Sequence, residues 1–380
     1  MADHSISLLL SSIFLHFLVV NCTIPRAPAL YIFGDSLSDS GNNNFLQTNA
    51  KVNFRPYGVD FPSGIPTGRF TNGKTSVDFL AEFLGLPLVP AYLGMSTTDR
   101  MHITTGVNYA SGAAGILPET GSGTGNILTF DEQINYFRNT IATDLPANFK
   151  TQADLLSYLS KAIFFVKIGN NDYINNFLKP SDYSSSWIYT PQQFADRLID
   201  GLQTRLTLPQ SKGSILGIGA SGLLLLATSS SSPNKFVVFN VARLGCVPGV
   251  IEDANPPPTT VCAEDINNIV LLYNSKLPSM ITALEHNLVG STFVRGDLYS
   301  MNQSSGTAGF IVRQTPCCAS RHADTGLCIQ GSAPCLLRSL SLFWNAYHPT
   351  ETVNIAQATE CFAGLLSCGP INILQLSLKN

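Results

Sequence analysis

The sequence predicts an α/β protein, built as a three-layer α/β/α sandwich around one parallel sheet. Two observations carry that expectation. Four short apolar runs, Ala29–Phe33, Ala162–Ile168, Phe236–Val241 and the weaker Thr292–Arg295, stand far apart in the chain. The first three are nearly continuous rather than alternating, which is the pattern of strands covered on both faces. Between and after them lie segments with helical spacing, and alternating strands and helices fold most simply into a parallel sheet with helices on either side.

The helical segments follow in order. Thr75–Leu84 places Val77, Leu80, Phe83 and Leu84 near one face, with Gly85 as a stop signal. Gln192–Leu206 and Ala263–Leu277 are further candidates, and Glu351–Phe362 closes the series. No break in composition marks a second domain, so residues 23–380 read as one. With 44% hydrophobic and only 12% charged residues, the chain can bury a large core and lacks the composition of a disordered one. A formal charge of −3 and the lack of a dense Lys/Arg run argue against a nucleic-acid or anionic-membrane partner. One stretch, from about 207 to 234, fits no element. Its part from Gly213 to Asn234 holds no charged residue and is rich in glycine and serine. It is read as an atypical insertion, too interrupted for a membrane span.

The N-terminal apolar run, Ile6 to Val20, is short for a span and fits the core of a secretory signal. Cleavage after Cys22 would remove residues 1–22 and leave a secreted, extracellular chain. Of the nine cysteines, eight would then remain, an even number suited to disulfides in an oxidising compartment. Connectivity is not readable from spacing. Zinc is the competing use, but no paired C-x-x-C set exists and His322, near Cys317 and Cys318, is isolated. Neither a metal nor an organic cofactor is expected. Asn302-Gln303-Ser304 is a glycosylation sequon, relevant if the chain is secreted.

The chemistry-bearing residues cluster in four blocks. Directly after the first strand comes Gly34-Asp35-Ser36-Leu37-Ser38-Asp39-Ser40-Gly41, which places a serine where open α/β sheets bind ligands. A bare Gly-Asp-Ser could equally be a capping loop. A calcium loop is the other alternative, but Leu37 occupies the second ligand position. The second block, Asn108-Tyr109-Ala110-Ser111-Gly112-Ala113-Ala114-Gly115, offers small residues and exposed backbone N–H groups. In the third, a strand runs into Gly169-Asn170-Asn171-Asp172. Parallel strands open onto one edge, so Asn171 and Ser36 could share a crevice, where an amide can donate to an oxyanion. The fourth, Tyr347-His348-Pro349-Thr350-Glu351, sets a histidine just before the last helix.

These blocks, in this order, resemble the plant-type GDSL esterase/lipase family of the SGNH hydrolase superfamily. The resemblance covers roughly 29–206 and 235–364, on motifs as long as GDSLSDSGNNN, NYASGAAGI, IGNNDY, FVVFNVARLGCVPG and FWNAYHPTE. It implies a flavodoxin-like fold, secretion, and hydrolysis of a small-molecule or lipid ester without stable membrane insertion. Carried over residue by residue, Ser36 is the nucleophile and His348 the general base. The backbone N–H of Ser36, Gly112 (with Gly115 as the other choice) and Asn171 form the oxyanion hole. The family's last block reads D-x-x-H, and this chain has Asn345 in place of the aspartate. An amide holds the ring but supplies no charge, and it can favour the wrong tautomer. The expected activity is therefore an ester hydrolase, active or attenuated. An impaired secreted binding protein and an acyltransferase using the same site remain as alternatives.

Overall fold

In a computed structural model the described residues are 25–207, 234–288, 290–304, 315–320 and 325–379. The expected signal peptide and most of the 207–234 stretch lie outside them, as does the side chain of Asn302, whose backbone is in the helix Leu298–Ser304.

The apolar runs form a five-stranded sheet in the order β1 (Leu30–Gly34), β2 (Ile163–Lys167), β3 (Lys235–Phe239), β4 (Thr292–Gly296) and β5 (Cys368–Gly369). The first four are parallel, and β5 is a two-residue antiparallel edge that the sequence pattern does not reveal. Every residue of β1, β2 and β3 is buried, as continuous apolar runs require. Alternate residues face opposite sides. Tyr31, Phe164, Phe236 and Phe293 stand in register, with ring centroids 5.6, 5.3 and 4.9 Å apart across the sheet. Such a row adds aromatic contact to area burial and fixes the strand register.

A further segment extends the sheet beyond β1. Ile32 N–H donates to Val107 C=O (3.1 Å), Tyr109 N–H returns to Ile32 C=O (2.8 Å), and Ser111 N–H reaches Gly34 C=O (3.1 Å). Residues 105–111 thus run parallel to β1 on the side away from β2. This places the second block at the same sheet edge as Ser36.

Among the described residues, seven helices of eight residues or more surround the sheet: α1 (Ser76–Phe83), α2 (Phe130–Asn139), α3 (Gln152–Lys161), α4 (Pro191–Leu206), α5 (Glu264–Asn274), α6 (Leu277–Asn287) and α7 (Glu351–Ala363). The expected helix Ala263–Leu277 ends earlier, at Asn274, and α6 follows after two residues. Phe137 of α2 packs on Tyr31 and Phe33, one side of the sheet. On the other side, Lys167 points toward Ser76 of α1 and Gln357 of α7. Four disulfides, Cys246–Cys262, Cys317–Cys335, Cys318–Cys328 and Cys361–Cys368, use all eight cysteines other than Cys22. Two of them tie the loop that leads to His348. Among the described residues no helix is long and apolar enough to cross a membrane.

Candidate active site

β1 ends at Gly34, where an added Cβ would lie 2.5 Å from the Lys167 carbonyl oxygen. Only glycine allows the chain to turn this close to β2. Ser36 follows at the edge and is 8% exposed. Asp35 points inward, and its Oδ1 accepts the Leu37 N–H at 2.9 Å. Burial raises the Asp35 carboxyl to about 6, against the pull of that hydrogen bond and of the Lys167 charge.

His348 arrives on the loop before α7. Its Nε2 lies 2.8 Å from Ser36 Oγ, and its Nδ1 lies 2.9 Å from Asn345 Oδ1. The hydrogen-bond network assigns the tautomer. Asn345 Oδ1 also accepts the backbone N–H groups of Tyr347 (3.0 Å) and His348 (2.8 Å). Its Nδ2 donates to the Tyr57 hydroxyl at 2.8 Å. A flipped amide would turn an NH2 group toward two N–H donors. The oxygen therefore faces the ring, Nδ1 carries the proton, and the Nε2 lone pair faces the serine hydroxyl. The wrong-tautomer hazard of an amide is countered by this arrangement. Charge is another matter. Burial pushes the His348 pKa down to about 3, and no carboxylate is among the causes that offset it.

The donor side is built by three loops. Gly169, at φ +126°, swings the chain out of β2 into Asn170-Asn171-Asp172. Asn171 Nδ2 donates to Ala114 C=O (3.0 Å) and its Oδ1 accepts from Asn175 Nδ2 (2.9 Å). The amide is fixed, and its second N–H is left over. Gly112 departs from expectation. Its N–H is directed at Asp39 Oδ2 (3.2 Å) and Asn43 Oδ1 (3.1 Å), so it is spent on holding the loop and does not face the cleft. The next residue, Ala113, adopts φ +68° and lines the cleft beside Ser36. Among the described residues neither the Ala113 nor the Ser36 N–H has a hydrogen-bond acceptor. Gly115, the other choice, is packed against Thr120 and Asp172.

Two buried carboxylates hold these loops. Asp39 Oδ1 accepts the N–H groups of Gly41 and Asn42, both at 2.7 Å, in addition to the bond from Gly112 to Oδ2. Asp172 accepts from Ile116 N–H (2.7 Å), Leu117 N–H (3.0 Å) and Thr120 Oγ1 (2.8 Å). Burial raises each carboxyl to about 6, with the N–H groups pulling the other way. Asp39 lies in the first block and Asp172 in the third, where sequence alone does not mark them as loop holders, and Tyr57 lies in none of the four.

Ser36, Asn171 and His348 open into one cleft of about 810 Å³, whose walls include Phe70, Ile174, Val247, Leu298 and Leu327. A cavity of this size with apolar walls and a few convergent polar groups suits a small molecule. Among the described residues no group of three or more His, Cys, Asp or Glu could hold a metal ion.

Comparison with known proteins identifies the family. The sequence profile of the GDSL-like Lipase/Acylhydrolase family matches residues 30–360. GDSL esterase/lipase 7 of Arabidopsis thaliana is 40% identical, over 93% of this chain and 93% of its own length. Two further GDSL esterase/lipases of the same plant are 39% and 37% identical, each over 93% of this chain and over 89% and 86% of their own lengths. With the profile spanning most of the described fold and relatives aligned nearly end to end, the chain belongs to the GDSL esterase/lipase family of ester-bond hydrolases.

Proposed function

We propose that the protein is a secreted carboxylic ester hydrolase that works through an acyl-serine intermediate, with Ser36 as nucleophile and His348 as general base. The observation that carries this is the 2.8 Å approach of Nε2 to Ser36 Oγ, with the ring held from behind at 2.9 Å. Nucleophile, base and orienting group in that relation are the signature of an activated hydroxyl.

In the proposed reaction Ser36 Oγ attacks the ester carbonyl carbon as its proton passes to Nε2. The carbonyl oxygen becomes an oxyanion, held by the N–H of Ser36, the N–H of Ala113 in place of Gly112, and the spare N–H of Asn171. Collapse breaks the bond to the alkoxy oxygen, which leaves as the alcohol with the proton from Nε2. A water then gives a proton to Nε2, adds to the acyl carbon, and releases the acid and Ser36. Acyl transfer would differ only in using an alcohol in place of that water. The apolar walls suit acyl chains or lipid esters.

A second reading, an ester-binding protein with little turnover, is favoured by one observation. Asn345 gives the buried imidazolium no countercharge. Assays on short and long p-nitrophenyl esters separate the two readings. Turnover that disappears in Ser36→Ala supports the hydrolase. Turnover unchanged by that substitution contradicts the assignment, and its absence in the wild type favours the binding protein.

We further read residues 1–22 as a signal peptide and 23–380 as one mature extracellular domain, in keeping with four disulfides. Secreted material should begin near Thr23 and lose mass with glycosidase if Asn302 is modified. A retained Met1 would contradict the first expectation.

A further inference from the structure

We propose that Tyr57 is a positioning residue for the Ser36–His348 pair, and that its hydroxyl lets an asparagine take over the orienting task of a carboxylate. The inference rests on the ester-hydrolase reading given above.

Tyr57 is fully buried, on the loop between β1 and α1, and is separated from Asn345 by 288 positions in the chain. Its hydroxyl oxygen receives two N–H donors, Cys328 N–H at 3.0 Å and Asn345 Nδ2 at 2.8 Å. A phenolic oxygen has room for both and is not ionised, because burial drives its pKa well up. Cys328 is bonded to Cys318, so the hydroxyl is held between a cross-linked loop and the amide.

Asn345 is itself fully buried. Its Oδ1 has three N–H donors, and among the described residues its Nδ2 has one acceptor, the Tyr57 oxygen. An amide needs partners of opposite kind at its two ends, and this socket supplies them. Without the hydroxyl, Nδ2–H would be a buried donor with nothing to bind, a costly state that rotation of the side chain relieves. Any such rotation removes Oδ1 from Nδ1–H and frees the ring to take the unproductive tautomer. An aspartate at 345 has no donor to satisfy. Either carboxylate oxygen can face the ring, so Tyr57 would become a donor to the other and matter far less. The hydroxyl is thus an adaptable partner, an acceptor for the amide and a donor for an acid.

The test is a double-mutant comparison on the full-length protein, with p-nitrophenyl acetate turnover and histidine 15N NMR as readouts. In the wild type, His348 should show a protonated Nδ1 and a lone-pair Nε2. Tyr57→Phe should lower kcat by about tenfold with KM nearly unchanged, and should populate the second tautomer. In the Asn345→Asp background the same change should cost less than about threefold, because residue 345 then has no N–H to orphan and the loss of the Cys328 bond is common to both backgrounds. Equal losses in both backgrounds would overturn the proposal, since they would trace the effect to the Cys328 bond or to packing. A wild-type His348 protonated on Nε2 would overturn it as well, and that measurement does not depend on any variant folding. The tautomer is read from the ring itself. If the esterase reading fails, with no Ser36-dependent turnover, the NMR arm still decides the role of Tyr57.

Discussion

The two sides of Ser36 are held by different chemistry. On the donor side, loops are pinned by buried carboxylates: Asp39 collects N–H groups from its own turn and from Gly112, and Asp172 collects those of Ile116 and Leu117. On the base side the equivalent task falls to neutral groups, Asn345 and the Tyr57 hydroxyl. An anion that accepts several N–H bonds organises a loop without facing the reacting atoms. A neutral amide can orient a histidine equally well but cannot stabilise it once charged. Geometry and charge, which an aspartate supplies together, are separated here. The donor side should therefore be close to fully effective, and the base side should be the weaker half.

Damage to the donor side should then produce the largest change. Asn171→Ala removes one of the three proposed oxyanion donors and should lower kcat by about 10²- to 10³-fold with little effect on KM. A loss below about fivefold, measured on p-nitrophenyl butyrate, would mean that the oxyanion sits elsewhere.

Asn345→Asp should strengthen the weaker half. The carboxylate would accept the same three N–H groups and add its charge. Each pKa unit restored to His348 is worth about 1.4 kcal/mol, so a gain of about ten- to a hundredfold in kcat is expected. The pH profile gives the sign independently. A base works when deprotonated, and burial holds His348 near 3. His348 should therefore impose no acid limb on wild-type kcat/KM between about pH 8 and about 5, and a fall near 6 would report the buried carboxyls of Asp35, Asp39 and Asp172. In Asn345→Asp the raised histidine pKa should move the acid limb upward, toward the ordinary imidazole range near 6.5. A faster variant with an unmoved limb would separate the gain from the charge. No gain would show that imidazolium formation does not limit turnover.

The smallest effect concerns Ala113. A residue with a Cβ at φ +68° carries about 1–2 kcal/mol of strain, and glycine relieves it while adding about 0.5–1 kcal/mol of unfolded-state entropy. Ala113→Gly should raise Tm by about 1–2 °C and leave hydrolysis within about twofold. A drop in Tm would mean that the Ala113 methyl packs better than its backbone strain suggests.

Sequence pattern revealed the two halves unequally. Strands buried on both faces announce themselves, and β1 to β4 differ by no more than two residues from the apolar runs at either end. The segment 105–111 pairs along β1 and through a single bridge with Ala91, and its polar Asn108 interrupts the run, so no strand signal survives. Helix α2 is mostly polar, yet Thr129 and Glu132 form a capping box at its start, a signal that the apolar pattern alone does not weigh. Ser36, Asn171 and His348 stand at strand ends or a helix start and were legible as chemistry. The sequence points to Gly112, with Gly115 as the other choice, and gives no sign of Ala113, because which N–H faces the cleft depends on Asp39 and Asn43 capturing that of Gly112. Tyr57 reaches Asn345 through tertiary folding alone, so nothing in the spacing hints at it.

The central claim, an acyl-serine intermediate formed at Ser36 with His348 as base, is tested most directly by mapping a covalent adduct. The wild type should react with a fluorophosphonate probe, and peptide mass spectrometry should place the phosphonyl group on Ser36. His348→Ala should slow labelling by at least about a hundredfold. A probe found on another residue, or a labelling rate indifferent to His348, would contradict the account.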